Sequence, residues 1–424
     1  MSTGLLWHRT VLPNGLRMLL LPKQSANTVQ LSAAVEYGSN NESEETAGSA
    51  HFLEHMLAGG STKRIQLSRS IESYGGTVNF YTDHEYTMST VDILPESLAK
   101  TSQVLSELLF DSSFEQEKFT SERKIILNEL AEVSDDPSEK VDELLLKSLF
   151  KNHPVKRPIG GYQKTINKLT LNGLSETHQT NYQAQKTILI LTGNLSDKNV
   201  ETVLQNFSSK ASQETLPKQI HPIEATKPRR EVKKNKTGIS QTYLSIGART
   251  VSARHPDAPT LDLIGTLLGG GASSRLFIEL REKRALTYDV VSTHSKGLDF
   301  GYLSVNCAVK DKNAEKTREL IFKEFSKLRN EKVLENELEK NKRMILGGAL
   351  RGIDSPEECQ DILAFMEIQF NNEKALVNYL EKIKVVTSEN IIEAAKTYLQ
   401  EDNFSAAILT PKIIIPFRIK KQKQ

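Results

Sequence analysis

Hydrophobic and polar positions along this chain switch between two periods, and each switch marks an element. Residues 16–21 follow an Asn14-Gly15 turn and read as a strand, and the alternating run 28–35 reads as another. Ala50, Phe52, Leu53, Met56, Leu57 and Ala58 then keep one segment apolar up to the stop signal Gly59-Gly60, which predicts a buried helix. Glu42, Glu44, Glu45 and Thr46 supply acidic and capping residues near its start. Residues 78–82 are strand-like. Ile125, Ile126, Leu130 and Val133 fall at helical spacing and predict a second, amphipathic helix over 121–133. Residues 188–192 read as a final strand.

The series then recurs. An offset of 210 lays residues 47–60 on 257–270, and each segment follows an alternating run, 28–35 in one copy and 241–248 in the other. An offset of 219 lays 123–129 with Pro137 on 342–348 with Pro356, so nine residues are inserted between the two anchors. Residues 406–409 match the final strand. Two copies of one unit, each mixing strands with helices, predict two similar α+β domains with helices against one sheet face. The expected boundaries are an N-terminal domain 1–207, a linker 208–236 and a C-terminal domain 237–424. The linker reading rests on Pro217, Pro222 and Pro228 and on the basic run 227–236. Lys420-Lys421-Gln422-Lys423 reads as a frayed tail.

Composition narrows the field. The 424 residues carry 55 Lys+Arg against 53 Asp+Glu, formally +2, which is no nucleic-acid or membrane signature. The basic run has no interleaved aromatics, so a linker is favoured over a nucleic-acid patch. No run of 18 apolar residues exists, so no membrane span is expected. Cys307 and Cys359 are far apart and read as buried thiols, not as a disulfide framework. The first residues lack the plan of a signal peptide, and a cytoplasmic protein is the expectation.

The candidate chemistry lies in the first predicted helix. His51-Phe52-Leu53-Glu54-His55 reads H-x-x-E-H. His51 and His55 are four apart, so a helix projects both from one face, where two imidazoles bind one Zn²⁺. Glu54 lies at the edge of that face, placed to accept a proton from water without being a ligand. Leaving these three groups buried without a metal would be costly. A third ligand is needed. On the second helix Glu122 and Glu129 are two turns apart and share a face; one can ligate while the other supports. Glu132 is a rival that reads as a solvated face.

The pair H-x-x-E-H and E-R-x-x-I-L-x-E, here His51–His55 and Glu122–Glu129, closely resembles the inverted-motif metallopeptidases. That family includes pitrilysin, insulin-degrading enzyme and mitochondrial processing peptidase, and the likeness is to its short, two-domain members. The resemblance implies Glu129 as third zinc ligand, with Glu122 assisting. It extends to Asn79-Phe80-Tyr81-Thr82, where the family commonly has Asn-Ala-x-Thr on a substrate-binding edge strand; Phe80 departs from the small residue. It also covers 273–288, where an arginine and a tyrosine seven apart, Arg281 and Tyr288, are implied to hold substrate or its oxyanion. On a continuing helix they would share a face.

A zinc endopeptidase acting on extended, unfolded peptides is therefore expected. A strand edge that pairs with substrate backbone tolerates many sequences. The resemblance implies a chamber of two bowls. A chain of this length supplies one, so a homodimer is implied, with a heterodimer as the alternative. Arg281 and Tyr288 would then serve the partner's zinc. In the second copy His51, Glu54, His55 and Glu129 become Leu261, Ile264, Gly265 and Gly348. Coordinated loss of all four predicts one zinc per chain, in the N-terminal half. The other function class is a non-catalytic or regulatory subunit of the same fold, against which the four intact residues argue. Gly269-Gly270-Gly271 lacks a phosphate-loop ending, and His84 is given no role.

Overall fold

The computed structural model describes residues 7–111, 113–210, 220–222, 224 and 231–412. Its first sheet contains β1 (His8–Val11), β2 (Arg17–Pro22), β3 (Val29–Val35), β4 (Thr77–Thr82), β5 (Thr87–Ile93) and β6 (Thr187–Gly193), in the order β1-β2-β6-β3-β5-β4. The second contains β7 (Glu231–Lys236), β8 (Thr242–Arg249), β9 (Thr287–Lys296), β10 (Gly301–Val309) and β11 (Phe404–Pro411), in the order β7-β11-β8-β10-β9. Apart from β1, the second order is the first repeated. Each has one parallel pair at the corresponding place, β2 with β6 and β7 with β11, and otherwise antiparallel neighbours. The α+β class and the duplication both follow from this topology.

Six helices build the site and join the two halves: α1 (Ser49–Gly59), α2 (Gln116–Asp135), α3 (Pro137–Leu149), α4 (Ala258–Gly269), α5 (Glu335–Asp354) and α6 (Pro356–Phe370). The offset of 219 carries both ends of α2 onto those of α5 and the start of α3 onto that of α6. The offset of 210 carries the last residue of α1 onto that of α4.

The expectation of helices on one sheet face is corrected. Every residue of β3 and β6 is buried. Leu189 and Leu191 of β6 enter the core of the first half, while Ile188 and Ile190, on the other face, enter a core shared with Leu363 and Cys359 of α6. The second sheet is treated likewise. Ala407 and Leu409 of β11 pack on Val141, Leu144, Leu145 and Leu149 of α3, while Ala406 and Ile408 face their own half. Each half therefore lends one helix to the other half's sheet. Uninterrupted apolar runs such as Ile188–Leu191 are the sequence mark of a strand covered on both faces.

The linker is corrected in part. Glu231–Lys236 is β7, paired in parallel with β11 and equivalent to β2. Its sequence, Glu-Val-Lys-Lys-Asn-Lys, hides the strand because an edge strand exposes side chains and tolerates charges, which also block further pairing. Ser208 ends a helix, Asp197–Ser208. Residues 211–219, 223 and 225–230, with the first four residues of the basic run, and the tail 420–423 lie outside the described residues. Among the described residues, no helix is long and apolar enough to cross a membrane.

Candidate metal centre

Helix α1 starts differently from the expectation. Its N-cap is Gly48, in the left-handed region at φ 95°, with no side chain to cap. The capping oxygens come from Glu42, which accepts from Gly48 N (2.9 Å) and Ala50 N (2.7 Å). Burial pushes the Glu42 carboxyl up to about 7, although these two N–H groups and Arg157 pull it down. Arg157 itself donates to the Glu42 and Ser39 carbonyls. Glu44 and Glu45 play no part in the cap.

One turn into α1 and across from it on α2, the predicted side chains converge. His51 Nε2 lies 3.5 Å from Glu129 Oε1, and His55 Nε2 lies 3.4 Å from Glu129 Oε2. The two imidazoles stand nearly perpendicular, centroids 4.8 Å apart. His51, His55 and Glu129 each offer a ligand atom, all within 4.8 Å of one another. His55 Nδ1 meets Glu122 Oε2 at 3.2 Å. Glu54 Oε2 lies 3.7 Å from His51 Nε2 and accepts from Thr82 Oγ1 at 3.4 Å. Glu132 is exposed and outside the group.

Burial raises the Glu54 carboxyl, partly offset by the two histidines. Burial alone would lower His55, but its hydrogen bond to Glu122 and the charges of Glu54 and Glu129 carry it upward. Glu129 is lowered, first by its contact with His51.

These residues fit a divalent cation. A carboxylate accepts only, so the Glu122 contact fixes the proton of His55 on Nδ1 and leaves the Nε2 lone pair facing Glu129. With a neutral His55 imidazole, that lone pair and a Glu129 oxygen point at one another, an arrangement a cation resolves. The donor set, two imidazoles and a carboxylate, is that of a catalytic zinc with an open fourth position. Glu122 stands where a partner orients a ligand histidine.

The centre opens into a cavity of about 510 Å³, walled by Phe80, Tyr81 and Thr82 of β4 and by Glu139, Asp142 and Glu143 of α3. Strand β4 is the edge of its sheet among the described residues. Phe80 and Thr82 share a face toward α1. Asn79 is exposed and does not line the cavity. Thr82 went unassigned in the sequence; strand alternation from Phe80 is the signal that could have placed it.

Arg281 and Tyr288 do not line this cavity. Their shared helical face is also corrected: the helical turn Phe277–Glu282 ends before Tyr288, which belongs to β9. They meet by stacking instead, with the Arg281 guanidinium 4.5 Å from the Tyr288 ring centroid. Tyr288 is 81% exposed.

A second trio, His153, His221 and Asp299, has metal-ligand spacing and lies beside a cavity of about 520 Å³. Its hydrogen bonds argue against a metal. Val155 N donates to His153 Nδ1 (3.1 Å), so the His153 proton sits on Nε2 and goes to Asp299 (3.0 Å). A metal at Nε2 would require an imidazolate there.

Known proteins share this architecture over nearly the whole chain. Residues 17–163 match the family model described as Insulinase (Peptidase family M16), and 168–345 match that of the Peptidase M16 inactive domain. An uncharacterized zinc protease of Mycobacterium leprae is 27% identical over 415 residues, 95% of this chain and 91% of that protein. One of Bacillus subtilis is 27% identical over 409 residues, 95% and 98%. A protease from Helicobacter pylori superposes with a TM-score of 0.86 at 21% identity, over 96% of this chain and 99% of that one. A peptidase M16 inactive domain from Pseudomonas fluorescens gives 0.87 at 20%, over 96% and 98%.

Proposed function

The chain belongs to the M16 peptidase family, and from that premise we propose that it is a zinc-dependent metalloendopeptidase cleaving unfolded peptides. One observation carries the reading: His51, His55 and Glu129 converge beside Glu54 at the edge strand β4. His51, His55 and Glu129 would hold one zinc per chain, and Glu122 orients His55. Zinc, when bound, supplies Lewis acidity toward water and the peptide carbonyl. Glu54, half-withdrawn from solvent with its carboxyl raised by burial, accepts the proton from water and returns it to the leaving amine. The free edge of β4 pairs with an extended substrate backbone, Asn79 and Phe80 flanking it.

The proposal extends to a homodimer enclosing the substrate. Arg281 and Tyr288 would reach the partner's centre; their stacking and the exposure of Tyr288 support this. Mixing inactive Glu54→Gln chains with inactive Arg281→Ala chains should restore activity, and no recovery despite subunit exchange would count against it. A cytoplasmic location is part of the proposal, checked by cell fractionation.

Elemental analysis should find equimolar zinc, and a quenched peptide should be cleaved by the wild type and spared by Glu54→Gln. Zinc without cleavage would move the assignment to a non-catalytic subunit, which pairs with a related chain.

A further inference from the structure

The hairpin that carries the edge strand is held by the other half of the molecule. At its tip Asp83 N donates to Tyr86 O (2.8 Å), closing a turn after the Thr82–Thr87 pair. The Tyr81 hydroxyl donates to Asp361 Oδ1 on α6, and the Tyr86 hydroxyl reaches the same oxygen at 3.4 Å. Between them Glu85 accepts from Leu298 N (2.6 Å), at the β9–β10 turn, and from Gln369 Nε2 on α6. One hairpin thus has its β4 arm and its tip tied to the C-terminal half.

Strand alternation makes this tie matter for the centre. Phe80 packs with the first half, while Tyr81 packs into the core that the two halves share. Thr82, the next residue, donates to Glu54 Oε2. Neighbouring side chains leave a strand on opposite faces. A single peptide link therefore separates the residue fixed by Asp361 from the residue that touches Glu54. Among the described residues the backbone of β4 pairs only with β5, so its other side has no ladder to hold it. The two tyrosine hydroxyls on Asp361 supply that restraint.

We propose that Asp361 is a positioning residue for Glu54, acting through Tyr81 and Thr82, so that the half without metal ligands sets the geometry of the half with them. This rests on the peptidase reading above. Asp361 touches neither substrate nor metal ligand; it holds the strand that does.

The test uses the full, zinc-loaded chain and four variants: Asp361→Ala, Asp361→Asn, Tyr81→Phe and the Asp361→Ala/Tyr81→Phe double. Asp361→Ala and Tyr81→Phe should each lower kcat about tenfold, the weight of one hydrogen bond to a charged group, with zinc content unchanged and KM moved less. The double variant should be no worse than Asp361→Ala. Asp361→Asn keeps an acceptor oxygen and should recover part of the loss. Amide exchange over residues 77–87 should quicken in Asp361→Ala. Wild-type kcat in Asp361→Ala, multiplying losses in the double, or loss that follows zinc content would overturn the proposal. If the wild type cleaves nothing, the peptidase reading fails separately. Amide exchange then decides the restraint alone: quickening supports it and no change overturns it.

Discussion

Helices α1 and α4 occupy the same place in two copies of one fold, and they are buried for different reasons. In α1, His51, Glu54 and His55 face a cavity and a glutamate. In α4 the same positions are Leu261 and Ile264, both fully buried, and Gly265. A Cβ on Gly265 would come within 3.4 Å of the His294 nitrogen on β9, and one on Gly269 within 2.3 Å of Ser292 N. The second copy has closed onto its sheet. Gly348, in the place of Glu129, offers no carboxylate. The apolar side shows the converse exchange: Phe52, stacked on Phe119, is matched by Asp262, which binds His294 and Lys296. Without the ligand set one helix packs tightly, whereas the helix that carries it leaves space.

The largest expected effect tests the side that kept its task. Glu54→Gln should cost roughly 10²- to 10⁴-fold in kcat, the usual weight of a general base. Among the acids of α2, Glu129→Gln should weaken zinc retention most, Glu122→Gln by about 10- to 100-fold in affinity as an orienting partner, and Glu132→Gln hardly at all. Competition with a chelator gives the order, and a larger effect at Glu132 would move the ligand. Exchange of helices predicts matched losses in the two halves: Leu144→Ala and Leu363→Ala should each cost about 2–5 kcal/mol in denaturant unfolding. A small loss at either would break the symmetry.

Rebuilding the motif in the quiet copy should fail. Leu261→His with Gly265→His should leave zinc at one per chain and lower stability by about 1–3 kcal/mol through overpacking against β9. Two zinc ions per chain would overturn the closed-helix account. The smallest effect is a slope. Glu42 is raised from 4.5 to about 7 in the folded state. Folding therefore favours its protonated form. That contribution is full below about pH 4.5 and is lost as pH rises to about 7. Glu42→Gln should remove that part of the pH dependence, measured as unfolding free energy against pH. The start of α4 has no side-chain cap to show a matching slope.

The sequence made the chemistry of α1 and α2 legible because helical spacing is a local rule: histidines four apart and glutamates seven apart fix the faces. Duplication was legible for the same reason, since both offsets reappear in helix ends. Strand β7 was not, because its pairing partner is remote and its lysines resemble a linker. The stacking of Arg281 on Tyr288 depends on a helix ending at Glu282, which periodicity does not report. Glu42 was placed near the helix start, but its reach back to Gly48 and Ala50 is a loop geometry that no spacing encodes. Exchange of α3 and α6 left a trace only in the doubly apolar runs of β6 and β11.

That exchange bears on descent. A chain holding one unit alone would leave one face of its sheet bare and one amphipathic helix without a bed. Two such chains would satisfy each other by trading helices about a twofold axis. Joining them end to end makes the trade intramolecular and frees one copy to drift. The present molecule has the anatomy of a fused, domain-swapped pair. Cutting it between residues 211 and 219 should yield two fragments that stay together, neither folding without the other.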